Sequence, residues 1–344
     1  MTWLSGSKLN VRYPIMNKIA LIGLGNFGTA LARNWIDHGL QVKGWTVEEE
    51  VYRSIKKTGV NEKYLPGISI KGLAVSMSLE ATISDSNLIV LALPSSVVIS
   101  VFENLIEYLS DDQVLLDLAK GLAPDDRLIS ETIDEKLRLA GLKTRLCVAM
   151  GPTIATELAK GVYTSALVTS SDYELANELA QILSTNALKL TAATDSLGAE
   201  YWGAFKNVIA LACGVVDGLK NKGRGGDNLK AAIFAVGYRE AFVLLPALGA
   251  QEKTALSAAG IGDLFVTATS PYGRNREMGE RLGSGQSLEQ ATREMVMVSE
   301  GVSAARMFKK VFLSKRIESS FVDSVCDFLD AKIDPDTLIQ ELLS

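Results

Sequence analysis

Histidine is nearly absent from this chain: His38 is the only one in 344 residues. That excludes a zinc site built on several histidines, and any histidine-dependent catalysis would rest on His38 alone. Cysteine is scarce as well. Cys147, Cys213 and Cys326 are odd in number and form no CxxC pair. This argues against a disulfide framework or a thiolate metal site and fits a reducing cytoplasm. An excess of cations is also missing. Lys and Arg number 35 against 40 Asp and Glu, a net charge of −5, and the pI is about 5.2. A general nucleic-acid binder needs a basic face, so no nucleic-acid partner is expected. Mean hydropathy is +0.17, yet no membrane span is expected. Pro94-Ser95-Ser96 interrupts the best candidate, between Asp85 and Glu103, and the run between Lys206 and Asp217 is too short. Residues 1–16 carry no apolar block of signal-peptide length and read as a loose extension.

What is present suggests two domains for a chain of this length. The first half alternates short apolar runs with helical patterns. Strands are expected at Lys18–Ile22, Gln41–Trp45, Leu73–Ser78, Leu88–Leu93, Val114–Leu118, Leu146–Met150, Ala166–Thr169 and Leu188–Thr191. Helices such as Phe27–His38 and Tyr173–Ser184 lie between them. That alternation predicts an α/β domain, a Rossmann-type doubly wound sheet that is mainly parallel, over residues 17–194. From residue 195 to 344 strands become scarce. Ser196–Leu219, Asn228–Leu248, Lys253–Ala259, Arg274–Leu282 and Ser303–Phe312 read as helices of an all-α C-terminal domain.

Gly23-Leu24-Gly25-Asn26-Phe27-Gly28 follows the first strand and opens a helix. This is the dinucleotide fingerprint in its proper setting: Gly23 for the tight turn, Gly25 for close approach to a pyrophosphate, Gly28 for helix–strand packing. The second strand ends in neither clean ribose-binding signature. Glu48, Glu49 and Glu50 follow it and are as compatible with a solvated helix start. Pro94-Ser95, Lys120-Gly121 and Gly151-Pro152-Thr153 follow later strands and share the ligand-binding edge. Lys120 there is either an anion contact or a solvated lysine.

Between Glu200 and Asp217 the only charged residue is Lys206. A helix apolar nearly all round is a buried helix. A lysine within it either snorkels to solvent or is desolvated, with a lowered pKa suited to general acid/base work. Gly273-Arg274-Asn275, after Gly262-Asp263-Leu264, reads as a phosphate-holding loop or as a turn with a helix cap.

Taken in order, these segments resemble the bacterial NAD(P)-dependent glycerol-3-phosphate dehydrogenases, from Lys18 through almost the whole chain. The resemblance is carried by Gly23–Gly28, Tyr64-Leu65-Pro66-Gly67, Pro94-Ser95, Lys120-Gly121, Gly151-Pro152-Thr153 with Glu157, and Gly203-Ala204-Phe205-Lys206-Asn207. It continues through Asp227–Ala232, Gly262-Asp263-Leu264, Arg274-Asn275-Arg276 and Glu300-Gly301. It implies that Lys206 is the proton acceptor. Lys120, Gly151, Thr153, Asn207, Asp263, Gly273, Arg274 and Asn275 are then substrate positions. Asn26, Phe27, Val47, Lys120, Ala155, Arg274, Val298 and Glu300 are cofactor positions beside Gly23, Gly25 and Gly28. NAD or NADP would bind non-covalently, with no metal. A cytoplasmic homodimer feeding glycerophospholipid synthesis is the implied setting. Val47 stands where many relatives carry a basic or imidazole side chain, and Ser299 stands where valine usually precedes the glutamate. A β-hydroxyacid or ketopantoate reductase is the nearest rival enzyme, and a non-catalytic NAD(H) sensor is the rival from another class.

Overall fold

The computed structural model describes residues 16–220, 222–295 and 299–344. Most of the expected extension lies outside the described residues. Met16, assigned to it from sequence, is buried among the apolar residues of the sheet domain.

The sheet domain contains β1 (Lys18–Ile22), β2 (Gln41–Trp45), β3 (Ala74–Ser76), β4 (Leu88–Leu91), β5 (Val114–Asp117), β6 (Arg145–Met150), β7 (Thr164–Thr169) and β8 (Leu188–Ala193). Its helices are α1 (Asn26–Asp37), α2 (Glu49–Thr58), α3 (Leu79–Ile83), α4 (Ser95–Leu105), α5 (Ile129–Leu139), α6 (Ala155–Ala159) and α7 (Tyr173–Leu183). The strand order is β3-β2-β1-β4-β5-β6-β7-β8. Every residue of β4 and β5 is buried, as expected where helices cover both faces of a parallel sheet. The chain winds outward from β1 to β3, then returns to place β4 on the other side of β1. The crevice at that reversal is where doubly wound sheets bind ligands.

One strand departs from the parallel expectation: β7 runs antiparallel to β6. The five-residue α6 between them is too short to carry the chain back across the sheet for a parallel return. The longer α7 then restores a parallel β7–β8 pair.

The helical half contains α8 (Ser196–Lys220), α9 (Asp227–Leu244), α10 (Glu252–Ala255), α11 (Asp263–Thr269), α12 (Arg274–Gly283), α13 (Leu288–Glu294), α14 (Glu300–Lys315), α15 (Ser320–Leu329) and α16 (Pro335–Leu343). Around α8 the other helices form the core. Phe205 meets Phe308 edge to face, ring centroids 4.8 Å apart. By length and composition alone the helices Ser196–Lys220 and Asp227–Leu248 are long and apolar enough to cross a membrane, a test that a buried core helix also passes. The first has 94% of its apolar window buried inside the protein, the second only 22%.

The α8–α12 crossing is unusually close. A Cβ on Gly214 would lie 2.0 Å from the Arg276 carbonyl, and one on Gly279 would lie 2.0 Å from that of Leu211. Gly218 and Gly283 repeat the pattern one turn later. Only small residues let two helix backbones approach so far.

Candidate active site

The dinucleotide loop has the conformation its glycines suggest. Gly23 takes φ +105°, and a Cβ on Gly28 would strike the Gly23 carbonyl at 2.0 Å. A Cβ on Gly25 would meet no protein atom within 4 Å, and no side chain caps α1. The first-turn N–H groups therefore face open space, which fits an anionic pyrophosphate. Asn26 and Phe27 begin the same helix. Ala155 opens α6, while Val47, 71% exposed, lies just past β2. Val298 lies outside the described residues.

Around the sheet's ligand edge, side chains from both domains converge. Lys206, only 4% exposed, reaches from α8 to Asp263 Oδ1 at 2.6 Å. It also donates to Thr267 Oγ1 at 3.0 Å. Lys120, in the loop after β5, holds the other oxygen, Oδ2, at 3.0 Å. Lys120 further donates to the Gly151 carbonyl at 2.7 Å and to Thr153 Oγ1 at 3.2 Å. The lysine on the apolar helix is thus buried and does not snorkel. Burial pushes its pKa down from 10.5 to about 8, the Asp263 carboxylate opposes that shift, and the Lys120 charge reinforces it. Phe27, Leu118, Lys120, Ala149, Gly151 and Thr153 line a small, largely apolar cavity beside Lys120, about 20 Å³ in volume.

A second cluster adjoins the first. Asn275, near the start of α12, donates through Nδ2 to Asn207 Oδ1 at 2.8 Å. Its Oδ1 accepts from Ser299 Oγ and from the Gly301 N–H, both at 2.8 Å. Those two donors fix which way the amide points. The close α8–α12 approach brings the asparagines into reach. Glu300, at the first position of α14, accepts from Ser95 Oγ at 2.9 Å, joining the helical domain to the start of α4.

Arg274 is exposed at the N-terminus of α12. Arg276 is occupied differently: its guanidinium reaches Asp217 at 2.8 Å, Glu280 at 3.0 Å and the Ser270 carbonyl at 3.1 Å. Gly273 is required by the protein's own packing, since a Cβ there would lie 2.7 Å from the Thr267 carbonyl. The same holds for Gly151 against Ala166, also at 2.7 Å.

Glu48 is more than a solvated helix start. Its carboxylate accepts from Tyr64 Oη at 2.6 Å and pairs with Lys63. His38 is exposed at the C-terminal end of α1, the sheet edge opposite the lysines. Among the described residues no group of three or more His, Cys, Asp or Glu is placed to hold a metal ion. Sequence reasoning missed Thr267. The available signal was its position one helical turn after Asp263, on a helix left unread.

The chain matches known proteins along nearly its full length. The family model for the NAD-dependent glycerol-3-phosphate dehydrogenase N-terminus matches residues 18–176, and that for the C-terminus matches residues 195–340. Glycerol-3-phosphate dehydrogenase [NAD(P)+] of Syntrophobacter fumaroxidans is 33% identical over 328 residues, covering 94% of this chain and 95% of that protein. The one from Geobacter metallireducens is 36% identical over 289 residues, covering 84% and 85% respectively. The crystal structure of glycerol-3-phosphate dehydrogenase from Coxiella burnetii superposes with a TM-score of 0.87 at 29% identity. That match covers 96% of this chain and 100% of the other. With both halves matched and the buried lysine, its carboxylate and the dinucleotide loop assembled at one edge, the chain belongs to the NAD-dependent glycerol-3-phosphate dehydrogenase family.

Proposed function

We propose that the chain catalyses the reversible NAD(P)-dependent reduction of dihydroxyacetone phosphate to sn-glycerol 3-phosphate. The observation that carries this reading is the Lys206–Asp263–Lys120 cluster, with Lys206 and Asp263 buried, bonded across the two domains. A non-catalytic NAD(H) sensor would need the glycine loop but not this cluster.

Gly23–Gly28 would hold the pyrophosphate of the coenzyme, which when bound would supply the hydride in reduction and accept it in oxidation. The chain's own residues handle the proton. The Lys206 ammonium has three N–H groups, more than its two acceptors Asp263 and Thr267 use. In reduction it donates a proton from Nζ to the substrate oxygen. In oxidation the neutral amine takes the hydroxyl proton back. Lys120 and Asp263 hold Lys206 and the reacting oxygen in register, and Asn207 and Asn275 line the adjoining pocket. Arg274 at the start of α12 would hold the substrate phosphate, where a guanidinium fork and helix N–H groups both suit an anion. Gly151, Thr153 and Gly273 shape this pocket. Asn26, Phe27, Val47, Ala155, Val298 and Glu300 would border the cofactor.

A homodimer fits the exposed stripe of α9 on which Ala231, Ala235 and Val243, the last 63% exposed, flank Arg239. A cytoplasmic role in supplying glycerol 3-phosphate for phospholipid synthesis fits three buried, unbridged cysteines. The experiment is direct: purified protein is mixed with NADH or NADPH and dihydroxyacetone phosphate, and loss of reduced nicotinamide absorbance is followed. No oxidation with either coenzyme would refute the reading.

A further inference from the structure

Six residues before Lys206, the same helix carries Glu200, which is fully buried. Its carboxyl crosses to the sheet domain. Oε1 accepts from the Ser130 N–H at 3.1 Å, and Oε2 pairs with Ser130 Oγ. Ser130 lies in the first turn of α5. The segment between β5 and α5 is the one that presents Lys120. Asp117 pins its start, accepting from the Ala119 N–H at 3.2 Å. A Leu122–Leu128 bridge closes it, and both leucines pack into the core of the helical domain. Glu200 therefore ties the helix that carries one active-site lysine to the far end of the loop that carries the other.

We propose that Glu200 is a positioning residue: by clasping Ser130 it fixes α8 against the Lys120 loop and so sets the Lys206–Asp263–Lys120 geometry. This rests on the reaction proposed above. The clasp works as a neutral acid. The charged neighbours that bear on Glu200 are Asp117 and Glu131, both acidic, and burial raises its pKa to about 8. A protonated carboxyl keeps the same contacts, accepting from the Ser130 N–H and donating to Ser130 Oγ. Glutamine can reproduce that pattern, and alanine cannot.

The test compares wild type with Glu200→Gln, Glu200→Ala and Ser130→Ala in steady-state kinetics. A second readout needs no turnover: the acylation rate of Lys206 against pH, followed by peptide mass spectrometry. Glu200→Ala should lower kcat about tenfold or more with coenzyme KM changed less than about twofold, and Glu200→Gln should stay within about threefold of wild type. The Lys206 acylation midpoint, near 8 in wild type, should stay there in the glutamine variant and rise toward 10.5 in the alanine variant. Ser130→Ala, which keeps the backbone donor, should move both readouts in the alanine direction. It decides the matter if Glu200→Ala does not fold. Wild-type kcat and midpoint in the alanine variants, or a glutamine variant as impaired as alanine, would overturn the proposal. If wild type fails to oxidise either coenzyme, the reaction assignment falls, and the acylation midpoints still decide the clasp.

Discussion

Lys206 and Lys120 hold opposite oxygens of one carboxylate: Asp263 Oδ1 lies 2.6 Å from the first and Oδ2 lies 3.0 Å from the second. A carboxylate shared in this way cannot offset the burial of Lys206 completely. That leaves the catalytic candidate with a pKa near 8 instead of 10.5 and lets one side chain serve both directions of a reversible proton transfer.

The pH dependence follows with opposite sign in each direction. Reduction needs the ammonium, so its kcat should fall as pH rises through about 8. Oxidation needs the neutral amine, so its kcat should rise through the same range. Asp263→Asn removes the group that favours the charged lysine, so both midpoints should move to lower pH. Lys206→Ala should lower kcat by about two to four orders of magnitude with coenzyme affinity little changed. Pre-steady-state rates at several pH values check this. Midpoints that ignore both substitutions would assign the proton transfer elsewhere.

Ser299 gives a prediction particular to this chain. Its hydroxyl and the Gly301 N–H together orient Asn275. Ser299→Ala should cost about 1 kcal/mol of stability, the usual worth of a buried neutral hydrogen bond. Catalysis should survive, because Gly301 still holds Oδ1. Urea unfolding reads the first and kcat the second. Unchanged stability would mean that the Asn275 amide is held by the backbone alone.

Asp117 and Glu200 predict how stability varies with pH. Burial raises Asp117 from 3.8 to about 7 and Glu200 from 4.5 to about 8. Both folded-state values lie above the unfolded ones, so the native state binds more protons in between. The stability carried by the neutral forms is fully present below about pH 4 and is lost as pH rises through about 7 and 8. Asp117→Asn mimics the neutral acid, so its Tm relative to wild type should climb between about pH 4 and pH 7 and level off above that. A Tm difference independent of pH would show that Asp117 is not protonated in the fold. Its Oδ2, buried without a partner, is the structural reason to expect the proton there.

The sheet was legible because eight short apolar runs alternate with helical patterns, and Gly23–Gly28 sits where only a strand–turn–helix joint accommodates it. The direction of β7 was not legible. It follows from the length of α6, and a five-residue helix leaves a weak periodic signal. Helices α11 and α13, seven residues each, are nearly as short, and Thr267 escaped with the first; α15 and α16, ten and nine residues long, also went unread. Lys206 stood out because nothing else between Glu200 and Asp217 is charged. Whether it was buried depended on Asp263, 57 positions along the chain, and local pattern cannot report such a contact. The asparagine pair depended on Gly214, Gly218, Gly279 and Gly283, two i, i+4 glycine pairs visible in the sequence. Their meaning appears only when α8 and α12 are brought together.

The last prediction concerns phosphate recognition. Arg276 is occupied by Asp217, Glu280 and the loop carbonyls, which anchors the turn that leads into α12. Arg274 is exposed two residues earlier at the helix N-terminus, and the reaction proposed above assigns the substrate phosphate to it. The chain carries a net charge of −5, so an anionic substrate depends on such local cations. Unphosphorylated dihydroxyacetone should be a very poor substrate. Arg274→Ala should cost about 3 kcal/mol in kcat/KM for the phosphorylated ketone, roughly a hundredfold, and far less for the unphosphorylated one. Arg276→Ala should act differently, lowering Tm along with activity, because its contacts are to the protein. Measuring both variants against both ketones separates the two roles. Equal losses on both ketones for Arg274→Ala would assign Arg274 to the cofactor or the fold and leave the phosphate to Lys120 and the α12 N–H groups.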